Sequence, residues 1–335
     1  MGIILRLTCA AIVLASAVSC LAADAPPRAK DGVLDLRGLD LAGIPPVELS
    51  GEWRFAWQEF EDPAQPSRAK GSISVPGAWN DASRPADGYG TYRLTVLCDP
   101  GNELGMLLPA ANSAFRAYVN GREIAHQGEP GTFKEGTRPA VIRQMVKLGA
   151  QGCPFELALH VANFSHRQGG LVSAPRVGAY ERVLRQREAG LTLDSSLIGS
   201  YILLALLTLL FYAMRRNDPT PLWLGLYCVA MLVHYELGKE GSWQHFMVGG
   251  EAPWERYRRI DALALCLGTP FLTLFISSLY PAVARRSVAL AIAGVSALAA
   301  LPVLVLPARL HSYFEPYVQV LAIAASLWMA GVLAL

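Results

Sequence analysis

Hydrophobic and polar positions divide the chain into two unlike parts. Up to about residue 188, apolar residues alternate with polar ones over short stretches, which is typical of half-buried β-strands. Further along, residues 195–214 form a run without a charge, followed at once by Arg215 and Arg216. A run of this length can cross a bilayer as a helix, so it predicts the junction between a β-rich domain and a membrane region.

The β-rich part contains several short strands. In residues 155–161, apolar side chains at Phe155, Leu157, Leu159 and Val161 face one way. Comparable segments lie at residues 33–39, 47–60, 91–98 and 141–148. Residues 115–119 and 122–127 flank Asn120-Gly121, which predicts a two-residue type I′ hairpin. We expect an all-β sandwich of the jelly-roll kind.

The membrane part contains more apolar stretches after the first. Together they predict an all-α transmembrane bundle of about five spans, at residues 195–214, 221–237, 262–283, 287–306 and 317–335. The last stretch is still apolar at Leu335, so we expect the bundle to be incomplete at its C-terminus.

The N-terminus has the pattern of a cleaved secretory signal over residues 1–23. Arg6 precedes an apolar run, and small residues follow at Ala22 and Ala23. A permanent anchor and a lipid-modified Cys20 remain as alternatives. Cleavage would leave a periplasmic domain at residues 24–179, a stalk at 180–193 and the bundle at 194–335. The first span would then run inward.

Composition narrows the class of partner. The chain is 53% hydrophobic and 17% charged, and its 29 Lys and Arg nearly balance its 27 Asp and Glu. No basic patch alternates with aromatic residues, so nucleic acid is excluded as the expected partner. The lipid bilayer is the partner that the apolar runs predict.

Several short motifs, taken in order along the chain, resemble one bacterial family. They are Ser50-Gly51-Glu52-Trp53-Arg54-Phe55, Val75-Pro76-Gly77-Ala78-Trp79-Asn80, Gly90-Thr91-Tyr92-Arg93-Leu94, Tyr118-Val119-Asn120-Gly121 and Ala162-Asn163-Phe164-Ser165-His166-Arg167-Gln168-Gly169-Gly170-Leu171. This succession resembles the seven-transmembrane receptors with diverse intracellular signalling modules that carry an extracellular jelly-roll domain. It is also similar to the sugar-binding jelly roll of family 2 glycoside hydrolases.

The resemblance implies the sensor and transmembrane part of a receptor in the bacterial inner membrane. The periplasmic domain would bind a small polar ligand, with carbohydrate as the favoured class, and pass a conformational signal inward. The alternative is a non-signalling membrane protein with a periplasmic protein-binding domain. A homodimer is left open.

An enzyme is not expected, because the sequence contains no G-x-S-x-G, H-E-x-x-H, phosphate-loop or C-x-x-C motif. No cofactor or metal site is expected either. His234, Glu236, His245, Glu251 and Trp254 lie near the first outer loop, and we interpret them as an interfacial belt rather than a metal or proton site.

The candidate ligand residues are aromatic or capable of directional hydrogen bonds: Trp79, Tyr89, Arg93, Asn163, His166 and Arg167. Structural roles compete with this hypothesis, since Trp79 can fill the core and Asn163 can close a turn.

Two cysteines lie at strand ends in the exported part of the chain. Cys98 ends one predicted strand and Cys153 precedes another, so antiparallel neighbours would bring them together. An oxidising periplasm favours a disulfide between them. Two buried free thiols are the alternative, while Cys228 and Cys266 are interpreted as small packing residues.

Overall fold

The chain folds into a β-sandwich followed by a helical region, which confirms the predicted fold class. A computed structural model describes residues 26–81, 83–101, 103–109, 113–140, 143–149, 152–238 and 254–334. The predicted signal peptide, with Cys20, lies outside these residues, as do His245 and Glu251.

Two sheets form the sandwich. The larger has seven strands in the order β4-β3-β5-β10-β7-β8, with β1 pairing parallel to β5, and the smaller has the order β2-β11-β6-β9. Their bounds are β1 Val33–Asp35, β2 Val47–Glu48, β3 Gly51–Trp57, β4 Gly71–Val75, β5 Gly88–Leu97, β6 Leu104–Leu108, β7 Ala114–Val119, β8 Arg122–Gln127, β9 Gln144–Gly149, β10 Phe155–Asn163 and β11 Arg176–Ala179.

The alternation of side chains in β5 and β10 determines what fills the core. Tyr92, Leu94 and Leu157 point between the sheets and are fully buried. The intervening residues, including Arg93 and His160, therefore lie on the outer face of the seven-stranded sheet. This outer face supplies most of the polar chemistry of the sandwich.

The predicted hairpin is confirmed. Strands β7 and β8 pair antiparallel around Asn120 and Gly121. Both residues have positive φ, 50° and 81°, as a type I′ turn requires.

The single strand predicted over residues 47–60 is wrong. Its first part is β2 in the four-stranded sheet, whereas β3 belongs to the seven-stranded sheet. Gly51 has a φ of 120°, and a Cβ there would lie 2.4 Å from the carbonyl oxygen of Ala29. The chain uses this glycine where it passes from one sheet to the other.

The helical region contains six described helices. They are α1 Tyr180–Met214, α2 Thr220–Gly238, α3 Trp254–Leu279, α4 Arg286–Val305, α5 Ala308–His311 and α6 Glu315–Ala334. Among the described residues, α1, α3, α4 and α6 are long and apolar enough to cross a membrane. Helix α2, at the predicted second span, is not among them, because its last turns carry the polar residues His234 and Glu236. The count of five spans stays a prediction.

One uninterrupted helix, α1, covers both the predicted stalk and the first predicted span. Its N-terminus is attached to the sandwich, since the N–H of Tyr180 donates to Glu103 O at 2.7 Å and Nε of Arg182 donates to Ala42 O at 2.7 Å. Val183 is buried at the same junction. A helix without a break transmits displacement and rotation better than a flexible linker would.

Candidate functional site

A row of half-buried aromatic rings lies on the outer face of the seven-stranded sheet. The ring centroids of Tyr89 and Phe60 are 5.0 Å apart, those of Phe60 and His160 are 4.8 Å apart, and those of His160 and Tyr118 are 5.0 Å apart. We call these four residues the aromatic row. Flat rings at a partly exposed surface can stack against the apolar face of a ligand.

The loop after β3 holds the middle of this row. His160 Nε2 is 2.8 Å from the carbonyl oxygen of Glu61, and burial lowers the pKa of the imidazole below its ordinary value. A cavity of about 290 Å³ is lined by the same loop, including Phe60, Glu61 and Arg68. The row and this cavity are therefore adjacent through Phe60.

Arg93 lies beneath this loop and is held by internal contacts. Its side chain is 2% exposed and forms ion pairs with Glu61 at 3.0 Å and Glu156 at 2.9 Å. Its guanidinium also donates to Asp62 O at 2.5 Å. Arg93 fixes the loop to the sheet and has little surface left for a ligand.

Trp79 fills the sandwich core. It is fully buried, its centroid lies 5.2 Å from that of Trp57, and its indole N–H donates to Ala86 O at 3.1 Å. A Cβ at Gly169 would lie 2.2 Å from the indole nitrogen, so the chain at Gly169 passes directly against this ring. These contacts agree with the structural alternative for Trp79.

Asn163 closes a turn at the end of β10. Its amide nitrogen donates to Ala86 O at 2.9 Å and to His166 O at 2.8 Å, and its Oδ1 accepts from the N–H of His166 at 3.1 Å. Asn163 is 1% exposed. Every contact is with the backbone, which is the pattern of a residue that shapes a loop.

The structure thus separates the six candidate ligand residues. Tyr89 belongs to the aromatic row, Arg93 lies under the adjacent loop, and Trp79 and Asn163 support the chain from inside. His166 and Arg167 lie on the loop formed by residues 163–168, which contacts the helical region.

Three contacts join the sandwich to the segment that contains α5 and the start of α6. The N–H of Arg167 donates to Ser312 Oγ at 3.2 Å, and His166 Nε2 lies 3.9 Å from Glu315 Oε2. Arg309 pairs with Asp87 at 2.7 Å. We call this set of contacts the domain junction.

Charged side chains continue from the domain junction into the bundle. Arg258 in α3 donates to Glu315 at 2.9 Å and lies 3.5 Å from Asp261. His234 Nδ1 in α2 is 2.7 Å from the same aspartate. One network of side chains therefore links the start of α6 with α3 and α2.

A cavity of about 350 Å³ opens beside this network. His234, Arg258, Asp261 and Glu315 line its polar side, and its remaining walls include Leu265, Val303, Phe314 and Val318. We call it the bundle cavity. Among the described residues, no group of three or more His, Cys, Asp or Glu has an arrangement that could hold a metal ion.

Comparison with known protein families finds a match for the membrane part of the chain. A sequence profile described as 7TM diverse intracellular signalling matches residues 191–335. Residues 191–335 are thus similar to the membrane domain of that signalling receptor family. The chain is therefore a multi-pass membrane protein, and a β-sandwich precedes the matched domain.

Solved structures resemble the sandwich part. A β-glucuronidase from an uncultured Clostridium sp. matches with 15% identity and a TM-score of 0.32, covering 39% of this chain and 28% of that chain. The β-glucuronidase of Faecalibacterium prausnitzii matches with 20% identity and a TM-score of 0.29, covering 36% of this chain and 21% of that chain. β-Glucuronidase 2 of Bacteroides uniformis matches with 19% identity and a TM-score of 0.32, covering 39% of this chain and 17% of that chain. The chain thus spans under a third of each enzyme's length. No curated protein matches this chain.

Several residues of the polar sites described above were not predicted from the sequence. Tyr118 and His160 could have been found, because strand alternation places both on the outward face of β7 and β10. Asp261 also carried a signal, as an acidic residue entering an apolar helix three positions after Arg258. Nothing in the local sequence pattern indicates a role for Phe60 or Glu315, since their partners come from distant parts of the chain.

Proposed function

We propose that this chain is the sensor and membrane part of a bacterial inner-membrane signal-transduction receptor. The sandwich lies in the periplasm and binds a small polar ligand, with carbohydrate as the favoured class. Ligand binding changes how the sandwich rests on the bundle, and the bundle passes this change inward.

The domain junction is the observation that carries this proposal. A loop of the sandwich reaches the N-terminal end of α6 through Arg167 and Ser312, and Arg258 continues the connection into α3. Helix α1 supplies a second, covalent connection to the first span. A ligand can shift an equilibrium between two conformations of the protein only if its interactions differ between them. The hydrogen bond and ion pairs of the domain junction can form in one conformation and break in the other.

The aromatic row supports a ligand site on the sandwich. Tyr89 and Tyr118 each offer a ring for stacking and a hydroxyl for hydrogen bonding, which suits a sugar. The Arg116 guanidinium lies on the same face, with its charge paired to Glu129 at 2.7 Å. The preference for carbohydrate comes from the sequence resemblance, and the half-buried rings of the aromatic row are compatible with it.

The predicted secretory signal supports the orientation, because export of the N-terminal domain leaves the first span to run inward. Helices joined by short connections alternate in direction, which puts Arg215, Arg216, Arg285 and Arg286 at the end of the bundle remote from the sandwich. Arg256, Arg258, Arg259 and Arg309 lie at the opposite end, so the number of arginines alone does not decide between the two orientations. An exported sandwich lies on the periplasmic side.

Thermal unfolding of the full chain in lipid nanodiscs tests the ligand class. We would screen neutral sugars, uronic acids, amino acids and short peptides. A ligand at about a hundred times its Kd adds about 2.7 kcal/mol to the free energy of unfolding. The proposal expects a saccharide among the stabilising compounds, and stabilisation by peptides alone would contradict it.

Paired substitutions locate the site. Tyr118→Ala removes both ring and hydroxyl and should weaken saccharide binding about tenfold or more, since stacking contributes on the order of 1 kcal/mol beyond buried area. Tyr118→Phe keeps the ring and should retain most of the affinity. Tyr180→Phe, at the start of α1, is a control that leaves the row unchanged. Equal affinity in Tyr118→Ala and the unmodified chain would exclude the row.

A further inference from the structure

One residue that lines the bundle cavity is buried and polar, and its side chain makes no hydrogen bond to the described residues. His311, at the end of α5, is 1% exposed and lines the cavity. Neither of its ring nitrogens has a hydrogen-bond partner among the described residues. An imidazole buried in this way costs free energy unless a molecule in the cavity satisfies it.

Burial also favours the neutral form of this imidazole. The pKa of His311 is lowered, chiefly because burial disfavours the charged ring. A neutral imidazole has one nitrogen that donates and one that accepts a hydrogen bond. His311 therefore offers the cavity an acceptor as well as a donor.

The carboxylates and guanidinium groups around the cavity are unbalanced in charge. The lining has one guanidinium group, on Arg258, and two carboxylates, on Asp261 and Glu315. Arg258 lies within 3.5 Å of both carboxylates, so its positive charge is already shared between them. One negative charge is left for a bound cation to neutralise.

The other walls of the cavity are apolar or aromatic. Leu265, Val303 and Val318 form an apolar side, and Phe314 presents a ring near the polar groups. A cation can be attracted to such a ring as well as to the carboxylates. A volume of about 350 Å³ falls at the small end of the range for ligand sites.

We propose that the bundle cavity is a second ligand site, which binds a small protonated amine with a short apolar body. Its ammonium group donates to Asp261, Glu315 and the accepting nitrogen of His311, and its carbon chain packs against Leu265 and Val318. The three donors of an ammonium match these three acceptors. This site is separate from the sandwich and does not depend on the proposed carbohydrate ligand.

Ligand-observed NMR titration of the full chain in nanodiscs tests the proposal with three probes of similar size: n-butylamine, n-butanol and butyrate. At about pH 8 the amine is protonated. We expect saturable binding of n-butylamine with a Kd at least about tenfold below that of n-butanol, because the alcohol lacks the charge. Equal binding of the amine and the alcohol, preference for butyrate, or no saturable binding of the amine would each overturn the proposal.

Variants assign the binding to the cavity. Asp261→Asn and Glu315→Gln should each raise the Kd for n-butylamine about tenfold or more, and Glu188→Gln removes the same charge from an exposed position of α1 as a matched control. Val318→Phe fills the cavity without a charge change and should also abolish binding, which keeps the test decisive if an acidic variant fails to fold. Unchanged affinity in Val318→Phe, or an equal loss in Glu188→Gln, would overturn the assignment.

Discussion

The backbone N–H of Arg167 donates a hydrogen bond to Ser312 Oγ, 3.2 Å away, although 145 residues separate them. The loop on the sandwich side is itself well supported, because Asn80 donates to Arg167 O at 2.6 Å and accepts from the N–H of Gly169 at 2.9 Å. On the helical side, Ser312 Oγ donates to Arg309 O at 2.9 Å. Two locally ordered turns therefore meet at this hydrogen bond.

The ion pair at the domain junction should respond to charge reversal. Arg309→Glu places two negative charges where Arg309 and Asp87 now lie 2.7 Å apart. Because the pair is partly exposed, we expect a loss below about 1 kcal/mol in the free energy of unfolding. Hydrogen exchange of residues 163–168 and 308–315 should nevertheless become faster.

The double variant Asp87→Arg/Arg309→Glu restores opposite charges and should return exchange toward its original rate. Arg176→Glu reverses an ion pair with Glu48 within the sandwich and serves as a control. If Arg176→Glu accelerates hydrogen exchange at residues 308–315 as much as Arg309→Glu does, the ion pair of Arg309 with Asp87 is not what orders those residues.

Asn163→Ala should destabilise the sandwich by about 1–3 kcal/mol, because it leaves the buried backbone N–H and carbonyl of His166 without their partner. Chemical denaturation monitored by tryptophan fluorescence measures this loss. Gln186→Ala, on an exposed position of α1, should change stability far less. A loss equal to that of Gln186→Ala would show that the turn is maintained without Asn163.

His160 should make stability depend on pH. Burial lowers its pKa in the folded protein below the ordinary value of 6.5. As the pH falls through 6.5, His160 becomes protonated in the unfolded chain but stays neutral in the folded protein. The stability that His160 supports above about pH 6.5 is therefore lost progressively as the pH falls toward the lower folded pKa.

His160→Gln removes this contribution, so its free energy of unfolding should fall less than that of the unmodified chain between about pH 8 and pH 5. His126→Gln changes an exposed histidine and is the matched control. Parallel pH profiles for His160→Gln and the unmodified chain would contradict the argument.

Cys98 and Cys153 are joined by a disulfide, with their α-carbons 5.3 Å apart. The bond closes a loop with a sequence separation of 55 residues, and the chain-entropy model assigns such a crosslink about 4 kcal/mol of stability. We expect alkylation of the unfolded, unreduced protein to label neither cysteine and reduction to expose both. Mass spectrometry that finds both thiols labelled before reduction would contradict the bond.

Strand alternation was sufficient to predict most of β5, β7, β8 and β10, because half-buried strands need apolar residues at every second position. It was insufficient for β4, β6 and β11, which were not predicted. It also could not anticipate the change of sheet at Gly51, since a glycine in an alternating segment has no side chain to indicate direction.

The candidate site was harder to predict than the fold. Arg93 and Asn163 were selected because their side chains can bind ligands, but the same hydrogen-bonding capacity serves Glu61 and the Ala86 backbone. Sequence patterns do not identify partners that lie far apart along the chain. For that reason neither the contact of Arg167 with Ser312 nor that of Arg258 with Glu315 could be predicted.

Hydrogen-exchange mass spectrometry of the full chain in nanodiscs, with and without a saturating saccharide from the thermal screen, tests most directly whether the sandwich signals to the bundle. We predict altered exchange at the aromatic row and also at residues 308–315, with the second change reduced in Arg309→Glu. Altered exchange confined to the sandwich, with residues 308–315 unaffected by the bound saccharide, would contradict coupling through the domain junction.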